Sequence, residues 1–442
     1  MEPVERSDRA ELDALQGRAL QALVERAWHQ IPFYRERWEA ARVRPELIRG
    51  LGDLKRLPVV TRQDLESDLL RHPPFGTYQG PIPAVRIHAS SGTSGQPRPV
   101  FFSRADCERL AHLSARRLTA QGVRPDDRVQ VALPYSLYIG GSIAIEGAMR
   151  LGAAVIPTGS GAMTPSRRQL ELAHAWRTTV LCTTPSYALH LSDVAGEMGL
   201  DSTRDFQLHT LYLTAEVLPE ETRRLVEQRW GCVVFDNYGS VEAAASTFEC
   251  ASRTGWHVSQ DCYLFEILDL ETGDQLPAGE DGVLVVTSLV KEAAPFIRYR
   301  IGDVAALWDE PCACGRSFVR LSPIKGRADD MIKLKGVSFY PAAVERVLRG
   351  VRGLGMDWRL IVDHASQTLV VEVEAADNGA PGETADHARR ETLALEIISR
   401  LRDRIGVRAE VRILDPASLG SQAGDNRAFK PRRVIERREA PR

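Results

Sequence analysis

The sequence predicts an α/β fold with a large N-terminal domain and a small α+β C-terminal domain. From residue 128 to residue 235, short apolar strands alternate with helical segments, a rhythm typical of βαβ units around a mostly parallel sheet. Residues 264–289 then have a strand-turn-strand pattern, which predicts an added antiparallel sheet. Past residue 320 the character changes again. We therefore predict a large domain at 1–324 and a small domain at 325–442.

The first hundred residues are mainly helical by their apolar spacing. Apolar residues at helical intervals predict a helix over 9–30, which Pro32 interrupts, and a second helix from there through Trp38. Thr61 has the character of a helix N-cap. Helical periodicity returns over 104–121.

Five strands and four intervening helices form the predicted parallel sheet. The strands are expected at 129–133, 153–156, 179–182, 210–213 and 232–235, and the helices at 142–151, 165–176, 186–196 and 219–231. Ligands bind such sheets beyond the carboxyl ends of the strands. Residues 214–216 (Thr-Ala-Glu) and 236–239 (Asp-Asn-Tyr-Gly) follow two of those ends, so we expect both at a ligand site.

The C-terminal domain is predicted from its own strands and helix. Segments 358–362 and 368–374 pair as strands, 386–405 is a helix with one apolar stripe, and 409–414 is a final strand. The acidic stretch 375–386 between them is predicted to be a mobile loop.

Composition excludes several classes of protein. With 43% hydrophobic and 26% charged residues, the 442-residue chain can bury large cores. The net charge of −2 gives no reason to expect nucleic acid or an acidic membrane as a partner. The least polar run, 138–157, contains Glu146 and Arg150 and is a poor membrane span. No secretory signal is visible, and the odd count of seven cysteines argues against a disulfide framework, so we expect a cytoplasmic protein.

One stretch predicts a phosphate site. Ser90-Ser91-Gly92-Thr93-Ser94-Gly95-Gln96-Pro97 contains two glycines and four hydroxyl residues directly after a strand-like segment. Glycine permits close approach of backbone N–H groups to an anion, and a polyphosphate is the natural candidate. The spacing differs from that of the common nucleotide loop. By itself the octet is more typical of a solvated turn between two strands.

Four later stretches give the octet its meaning. Residues 236–242 supply an aromatic face and a carboxylate, 298–303 a carboxylate on a turn, 326–336 a charged segment at the domain boundary, and 429–431 a lysine near the C-terminus. In this order they resemble the acyl-adenylate-forming superfamily, most closely its phenylacetate–CoA ligase branch. The resemblance covers nearly the whole chain and extends to residues 31–35, 57–58, 184–188, 214–216, 297–300, 312–316 and 327–331.

The resemblance implies an AMP-forming acid–thiol ligase that uses ATP, Mg²⁺ and coenzyme A. A carboxylate attacks the α-phosphate of ATP to give an acyl adenylate and pyrophosphate, and a thiol then displaces AMP. The acceptor stays open at this point: coenzyme A, the thiol of a carrier protein, an amine or another nucleophile. Two alternatives to an active ligase are also kept: a protein whose basic tail binds nucleic acid, and a catalytically silent nucleotide-binding relative. A homodimer is a further option for the assembly.

The resemblance also assigns the nucleotide-binding residues. Phosphates would be held by the octet residues Ser90, Ser91, Gly92, Thr93, Ser94 and Gly95. The base and its surroundings would be lined by Ala215, Glu216, Asp236, Asn237, Tyr238 and Gly239, with Tyr238 stacked on adenine. Asp303 would accept both ribose hydroxyls, since a carboxylate offers two acceptor oxygens.

The catalytic residues implied are Lys430, Glu242 and Arg327. Glu242 would bind Mg²⁺, Arg327 would reach ribose or phosphate, and Lys430 would bridge the attacking carboxylate and the α-phosphate. Asp329 matches the hinge about which the mobile small domain swings in this family. Lys333 and Lys335 compete with Lys430 for the cationic role.

Two departures from the family pattern stand near these residues. Arg98 follows Pro97 where the family loop usually ends in lysine, which keeps the charge but changes its shape. Val241 replaces the hydroxyl residue that often precedes the metal-binding glutamate.

The substrate pocket is expected to favour a flat ring. By resemblance it is lined by Tyr135, Tyr138, Ile139, Gly140, Gly141, Ser160, Gly161 and Ala243. Small residues with tyrosines suit an aryl or arylacetic acid better than a long alkyl chain. The same residues also suit close packing of a helix on a sheet.

Four residues form a candidate metal set. Cys250, His257, Cys312 and Cys314 are three thiols and an imidazole, a common tetrahedral zinc set, and some members of this branch carry such a structural site. The alternative is a pair of unrelated turn thiols and a surface histidine.

Overall fold

The chain was analysed as a computed structural model. The structure describes residues 1–90, 97–334, 336–376, 383–416, 418–419 and 433–437. The chain divides into two compact units, one of residues 1–216 with 226–324, the other of residues 217–225 with 325–442.

The helices follow the predicted apolar periodicity closely. In chain order they are α1 (Arg9–Gln30), α2 (Pro32–Ala40), α3 (Arg62–Arg71), α4 (Arg104–Ala120), α5 (Gly140–Leu151), α6 (Ser166–Ala175), α7 (Pro185–Glu197), α8 (Glu220–Trp230), α9 (Pro341–Arg349) and α10 (Glu383–Ile405). Thr61 caps α3, as predicted: its hydroxyl accepts a hydrogen bond from the Asp64 N–H. None of the helices in the described ranges is long and apolar enough to cross a membrane.

The strands build several sheets. In chain order they are β1 (Arg86–Ser90), β2 (Arg98–Phe102), β3 (Arg128–Val131), β4 (Ala154–Ile156), β5 (Val180–Thr183), β6 (Thr210–Thr214), β7 (Val233–Asn237), β8 (Thr247–Phe248), β9 (Trp256–Val258), β10 (Tyr263–Leu268), β11 (Gly282–Ser288), β12 (Tyr299–Ala305), β13 (Leu307–Trp308), β14 (Arg320–Leu321), β15 (Gly326–Arg327), β16 (Ile332–Leu334), β17 (Val337–Phe339), β18 (Leu354–Asp363), β19 (Thr368–Ala375), β20 (Glu410–Leu414) and β21 (Val434–Arg437).

The first unit contains the predicted parallel sheet. Its strand order is β4-β3-β5-β6-β7, and all four pairings are parallel. β10, β11 and β12 pair antiparallel beside one another, which confirms the added antiparallel sheet. A large apolar cluster packs the first three helices against this sheet, and a smaller cluster lies between the parallel sheet and its helices.

Asp303 lies in a strand, so its predicted position on a turn is wrong. β11 and β12 pair Val283 with Val304 and Val285 with Arg300, which leaves extra residues in β12 between those pairs. Gly302 takes a φ of 96° there. These features define a β-bulge, a device that re-aims side chains without ending a strand.

The second unit has an α+β core of its own. β18 and β19 pair antiparallel, while β20 and β21 join the two sides in parallel, in the order β20-β19-β18-β21. Apolar residues of α9 and α10 pack with this sheet. α10 begins at Glu383, inside the stretch predicted to be a loop. The helix extends N-terminal to the apolar stripe from which it was predicted.

Candidate functional site

The two polar motifs predicted at a ligand site lie side by side. β6 and β7 are neighbours, and their register pairs Thr214 with Asn237. The Thr214 hydroxyl donates to the Asn237 carbonyl at 2.7 Å. Ala215, the next residue, has a φ of 73°, a left-handed conformation that is costly for a residue with a Cβ. The end of the sheet therefore has a constrained backbone of the kind found at binding sites.

Tyr238 connects this sheet edge to the bulge of β12. Its hydroxyl donates to Asp303 Oδ2 at 2.5 Å. Its ring packs against that of Trp256, with centroids 5.5 Å apart, and the Trp256 N–H donates to the Asp236 carbonyl at 3.0 Å. The predicted base-stacking and ribose-binding side chains are thus in direct contact.

Two polar side chains expected to line the pocket are held by other residues. The Asn237 amide accepts from Gln121 at 2.7 Å and donates to the Leu213 carbonyl at 3.2 Å. The Glu216 carboxylate accepts from the Ser186 hydroxyl at 2.6 Å and from the Ser186 N–H at 3.0 Å. Both side chains fix the loops in place, so their contribution to the site is positional.

A buried arginine that sequence reasoning missed supports Tyr238. Arg117 of α4 is 2% exposed and donates to the Thr247 carbonyl, the Tyr212 hydroxyl and, at 3.4 Å, the Tyr238 carbonyl. Arg117 therefore ties the backbone of Tyr238 to that of Thr247.

Glu242 is buried and ion-paired with Arg98. The guanidinium of Arg98 donates to Glu242 Oε1 and, at 2.7 Å, to the Tyr299 hydroxyl. Burial alone would lower the pKa of Arg98, but the Glu242 carboxylate outweighs it and the pKa is raised. One hard oxygen donor of this kind fits Mg²⁺, which takes few protein carboxylates and completes its shell with water and substrate phosphates.

Lys291 is a second buried cation that the sequence did not reveal. It is 7% exposed, and its ammonium has no hydrogen-bond partner among the described residues. It lies 4.0 Å from the centre of the Phe102 ring and lines a cavity of about 20 Å³ together with Glu242. Burial lowers the pKa of Lys291 to about 8, against the opposing carboxylates of Asp106 and Glu242.

The glycines of the predicted substrate pocket lie against tyrosines. A Cβ on Gly140 would meet the Tyr138 ring at 2.4 Å, and one on Gly161 would meet the Tyr187 hydroxyl at 2.7 Å. Tyr187 was not predicted as a pocket residue. The two tyrosines therefore occupy the space that a side chain at either glycine would fill.

The other predicted pocket residues are mostly packing positions. A Cβ on Gly141 would meet the Pro134 carbonyl at 2.6 Å and then the Tyr135 ring, so Gly141 serves close backbone packing. Ile139 and Ala243 are buried in the large apolar cluster. The Ser160 carbonyl accepts from two N–H groups of the following turn. The alternative of close packing therefore holds for part of the set.

The second unit contains the predicted hinge residue, Asp329, beside Arg327. Arg327 donates to both oxygens of Asp329, from Nε at 2.9 Å and from an Nη at 3.1 Å. Burial, reinforced by the neighbouring Asp329, raises the pKa of Asp330. Lys333 is exposed.

Several predicted residues fall outside the described part of the chain. These are Ser91, Gly92, Thr93, Ser94 and Gly95 of the octet, Lys335 and Lys430. Ser90 ends β1, opposite Arg98 of β2.

The four candidate metal ligands converge. The nearest donor atoms of Cys250, His257, Cys312 and Cys314 all lie within 4.8 Å of one another. Two pairs are closer: Cys250 Sγ to Cys312 Sγ is 3.7 Å, and Cys314 Sγ to His257 Nε2 is 3.3 Å. A tetrahedral zinc ion with Zn–S bonds of about 2.3 Å separates its sulfurs by roughly the same distance. The donor set thus fits zinc, and the alternative of unrelated thiols and a surface histidine is wrong because His257 is buried.

Groups around the cluster orient its donor atoms and favour the protonation states that bind a cation. His257 Nδ1 lies 3.0 Å from the Phe318 carbonyl, an arrangement that directs Nε2 toward the thiols. Burial lowers the pKa of His257 to about 4, so the imidazole is neutral at pH 7. The pKa of Cys312 is lowered to about 7, because hydrogen bonds, first from the Cys314 N–H, outweigh burial.

Comparisons with known proteins agree on one family. Residues 83–289 match the model of the AMP-binding enzymes and residues 336–438 that of the AMP-binding enzyme C-terminal domain. The chain is 37% identical to phenylacetate-coenzyme A ligase of Thermus thermophilus and 32% identical to that of Escherichia coli, over 98% of each chain in both cases. A crystal structure of 2-hydroxyisobutyryl-CoA ligase in the postadenylation state, in complex with 2-HIB-AMP, superimposes with a TM-score of 0.89. That protein is 32% identical, over 99% of this chain and 92% of its own.

Proposed function

The chain belongs to the phenylacetate–coenzyme A ligase branch of the AMP-binding, acyl-adenylate-forming enzymes, and we propose that it activates an aromatic acid. It is an AMP-forming acid–thiol ligase. The acid is an aryl or arylacetic acid, and the acceptor is coenzyme A. The support for an aromatic acid is the likeness to the phenylacetate-coenzyme A ligases, together with the Tyr138 and Tyr187 rings that lie against Gly140 and Gly161.

The reaction has two displacement steps. In the first, a carboxylate oxygen of the acid forms a bond to the α-phosphorus of ATP, and the bond to the β-phosphate breaks, releasing pyrophosphate. In the second, the sulfur of the thiol attacks the acyl carbon, loses its proton, and AMP leaves with the carboxyl oxygen. Both steps depend on alignment and on neutralising developing charge more than on a base.

The nucleotide half of the site belongs to Tyr238 and Asp303. Tyr238 provides a flat face for adenine, and its bond to Asp303 holds the carboxylate where ribose hydroxyls can donate to it. Ala215, Asp236 and Gly239 contribute backbone at the same sheet edge. Phosphates would be bound by the octet that begins at Ser90, and Arg327 would contribute a further cation.

Magnesium would be held at Glu242. When bound, Mg²⁺ supplies positive charge that stabilises the phosphate oxygens of the leaving pyrophosphate. The chain's own contribution is a buried carboxylate of fixed position, next to Arg98 and Lys291.

Two further assignments follow the family. Residues 325–442 act as the small mobile domain, with Asp329 as the hinge and Lys430 bridging the acid and the α-phosphate. Zinc at Cys250, His257, Cys312 and Cys314 would be structural, because the four donor atoms face one another and complete a tetrahedral set with no open position. We further propose that the protein works in the reducing cytoplasm, because the odd count of seven cysteines argues against a disulfide framework.

A screen of pyrophosphate release tests the substrate. Phenylacetate, benzoate and ring-substituted analogues are compared with acetate, 2-hydroxyisobutyrate and octanoate. We expect the aromatic acids to have the highest kcat/KM, whereas a preference for 2-hydroxyisobutyrate would overturn the aromatic assignment. Mass spectrometry of the product with coenzyme A then tests the acceptor, because AMP release without thioester would indicate a carrier-protein thiol or an amine.

A further inference from the structure

Arg98 and Glu242 form a buried ion pair at the place proposed for the metal. The residues are 3% and 8% exposed, and Arg98 is also bonded to the Tyr299 hydroxyl while its cation lies 5.2 Å from the centre of the Tyr299 ring. The carboxylate proposed to bind Mg²⁺ is thus paired with a guanidinium in this structure. A divalent cation that reaches Glu242 meets a guanidinium in contact with it.

A second buried arginine–carboxylate pair in the same unit is also anchored to the backbone. Arg298 and Glu266 are 5% and 4% exposed and joined by two hydrogen bonds of 3.1 and 2.9 Å. Arg298 is further anchored by the backbone carbonyls of Lys55 and Leu57. Arg98 is bonded to the side chains of Glu242 and Tyr299, and a rotation of the arginine side chain breaks both of these bonds.

Lys291 makes such a rotation tolerable. Breaking a buried ion pair is costly because a charge remains uncompensated. The Lys291 ammonium lines the same small cavity as Glu242, held by the faces of Phe102 and Phe296 at 4.0 and 5.1 Å. Glu242 therefore keeps a cation nearby when Arg98 leaves.

Arg98 also lies next to the segment proposed to bind phosphate. It is the first residue of β2 and directly follows the glycine-rich octet in the sequence, and its backbone pairs with Ser90, the first residue of the octet, at the end of β1. Guanidinium binds phosphate and carboxylate oxygens with the same fork of donors.

We propose that Arg98 is the counter-ion of Glu242 in the nucleotide-free enzyme and exchanges this carboxylate for a phosphate oxygen when a magnesium nucleotide binds. This inference rests on the proposed function. The exchange makes metal and nucleotide binding mutually dependent: Glu242 accepts a metal together with ATP and rejects it alone.

Manganese serves as the probe for the metal, with free Mn²⁺ measured by electron paramagnetic resonance. The wild-type protein should bind Mn²⁺ at least 10-fold more tightly with ATP than without it. R98M should bind Mn²⁺ without nucleotide at least 10-fold more tightly than the wild type, and its affinity for MgATP should fall at least 10-fold. R98K keeps the charge but loses the paired donors of the guanidinium, so its affinities for Mn²⁺ and MgATP should lie between those of the wild type and R98M.

A second variant should tighten ATP binding, where R98M weakens it. E242Q removes the charge that holds Arg98, so ATP binding measured in EDTA by calorimetry should become several-fold tighter than in the wild type. Metal-dependent ATP binding by the same variant should weaken. If R98M does not fold, this pair of measurements decides the question.

R298M is the matched control, because it breaks a buried pair of the same kind away from Glu242. It should lower stability while both binding constants stay within 2-fold of the wild type. The proposal is overturned if R98M binds Mn²⁺ no better than R298M does, or if E242Q binds metal-free ATP no better than the wild type. Wild-type protein that fails to bind ATP at all would instead contradict the proposed function.

Discussion

The Tyr238 hydroxyl donates to Asp303 Oδ2 at 2.5 Å, joining the end of the parallel sheet to the bulge in β12. One side chain offers a flat aromatic face and the other a charged acceptor, and the hydrogen bond fixes their relative positions. This relationship makes the two halves of the proposed nucleoside site one unit.

Substitutions at the two positions should therefore separate stacking from hydrogen bonding. D303A removes charged hydrogen bonds to ribose, each worth about 1.5–3 kcal/mol, so kcat/KM for ATP should fall at least about 10-fold. Y238F keeps the ring and should cost less than Y238A. Initial rates of pyrophosphate release at varied ATP measure all three, and an unchanged KM in D303A would contradict the ribose assignment.

Lys291 should cost stability at neutral pH. Its pKa of about 8 lies below the ordinary value of 10.5 because of burial, so the unfolded state holds more protons between these pH values. The penalty is complete below pH 8 and is relieved as the pH rises toward 10.5. K291M should stabilise the protein at pH 7 by up to about 3 kcal/mol, with a smaller gain at pH 10.

Urea unfolding at pH 7 and pH 10 measures this difference. Because Lys291 lines the cavity beside Glu242, K291M should also weaken MgATP binding. A variant that is less stable than the wild type at pH 7 would show that the contacts with the Phe102 and Phe296 rings outweigh the desolvation of the charge.

The cysteine cluster should contain one zinc ion per chain. Elemental analysis of the purified protein is expected to give a ratio near one, and C314S should lose the metal and lower the Tm by at least about 5 °C. C107A is the control, since Cys107 lies outside the cluster and is half-buried. Equal zinc content in both variants would exclude the assignment.

A methyl group at Gly161 should change the selectivity for acids. G161A places a methyl group 2.7 Å from the Tyr187 hydroxyl, so kcat/KM for aromatic acids should fall about 10-fold or more while that for acetate changes little. G196A, where no atom lies within 4 Å of the new methyl group, should leave both unchanged. The same pyrophosphate assay with each acid reads the ratio, and parallel losses for all acids would argue against a pocket at Gly161.

Lys430 should act in the first step alone. K430A is expected to lower adenylation on the order of 100-fold or more, the scale of one lost transition-state contact, while conversion of supplied acyl adenylate to thioester continues. Single-turnover assays of each half-reaction separate the two. An unchanged adenylation rate would transfer the role to Lys333 or Lys335.

Much of the architecture could be predicted because it depends on local pattern. Alternating strands and helices fixed the parallel sheet, and the order of the motifs identified the family, as the relatives confirm. Asp303 escaped the strand prediction because Gly302 and the bulge interrupt the alternation of β12.

The missed residues depend on long-range burial. Lys291 and Arg117 have ordinary sequence neighbours, and their importance arises from distant partners such as Phe102 and Tyr238. Likewise, Glu216 resembles a pocket carboxylate until Ser186, thirty positions earlier, is seen to hold it. No short pattern contains that information.

The bulge in β12 has an evolutionary consequence. Asp303 is anchored between strand pairs that close on either side of it, whereas Gly140 and Gly161 belong to a helix start and a turn beyond the parallel sheet. Substitutions at those glycines leave the β12 ladder untouched. Proteins that descend from this fold are therefore free to accept new acids while they keep the proposed nucleoside site.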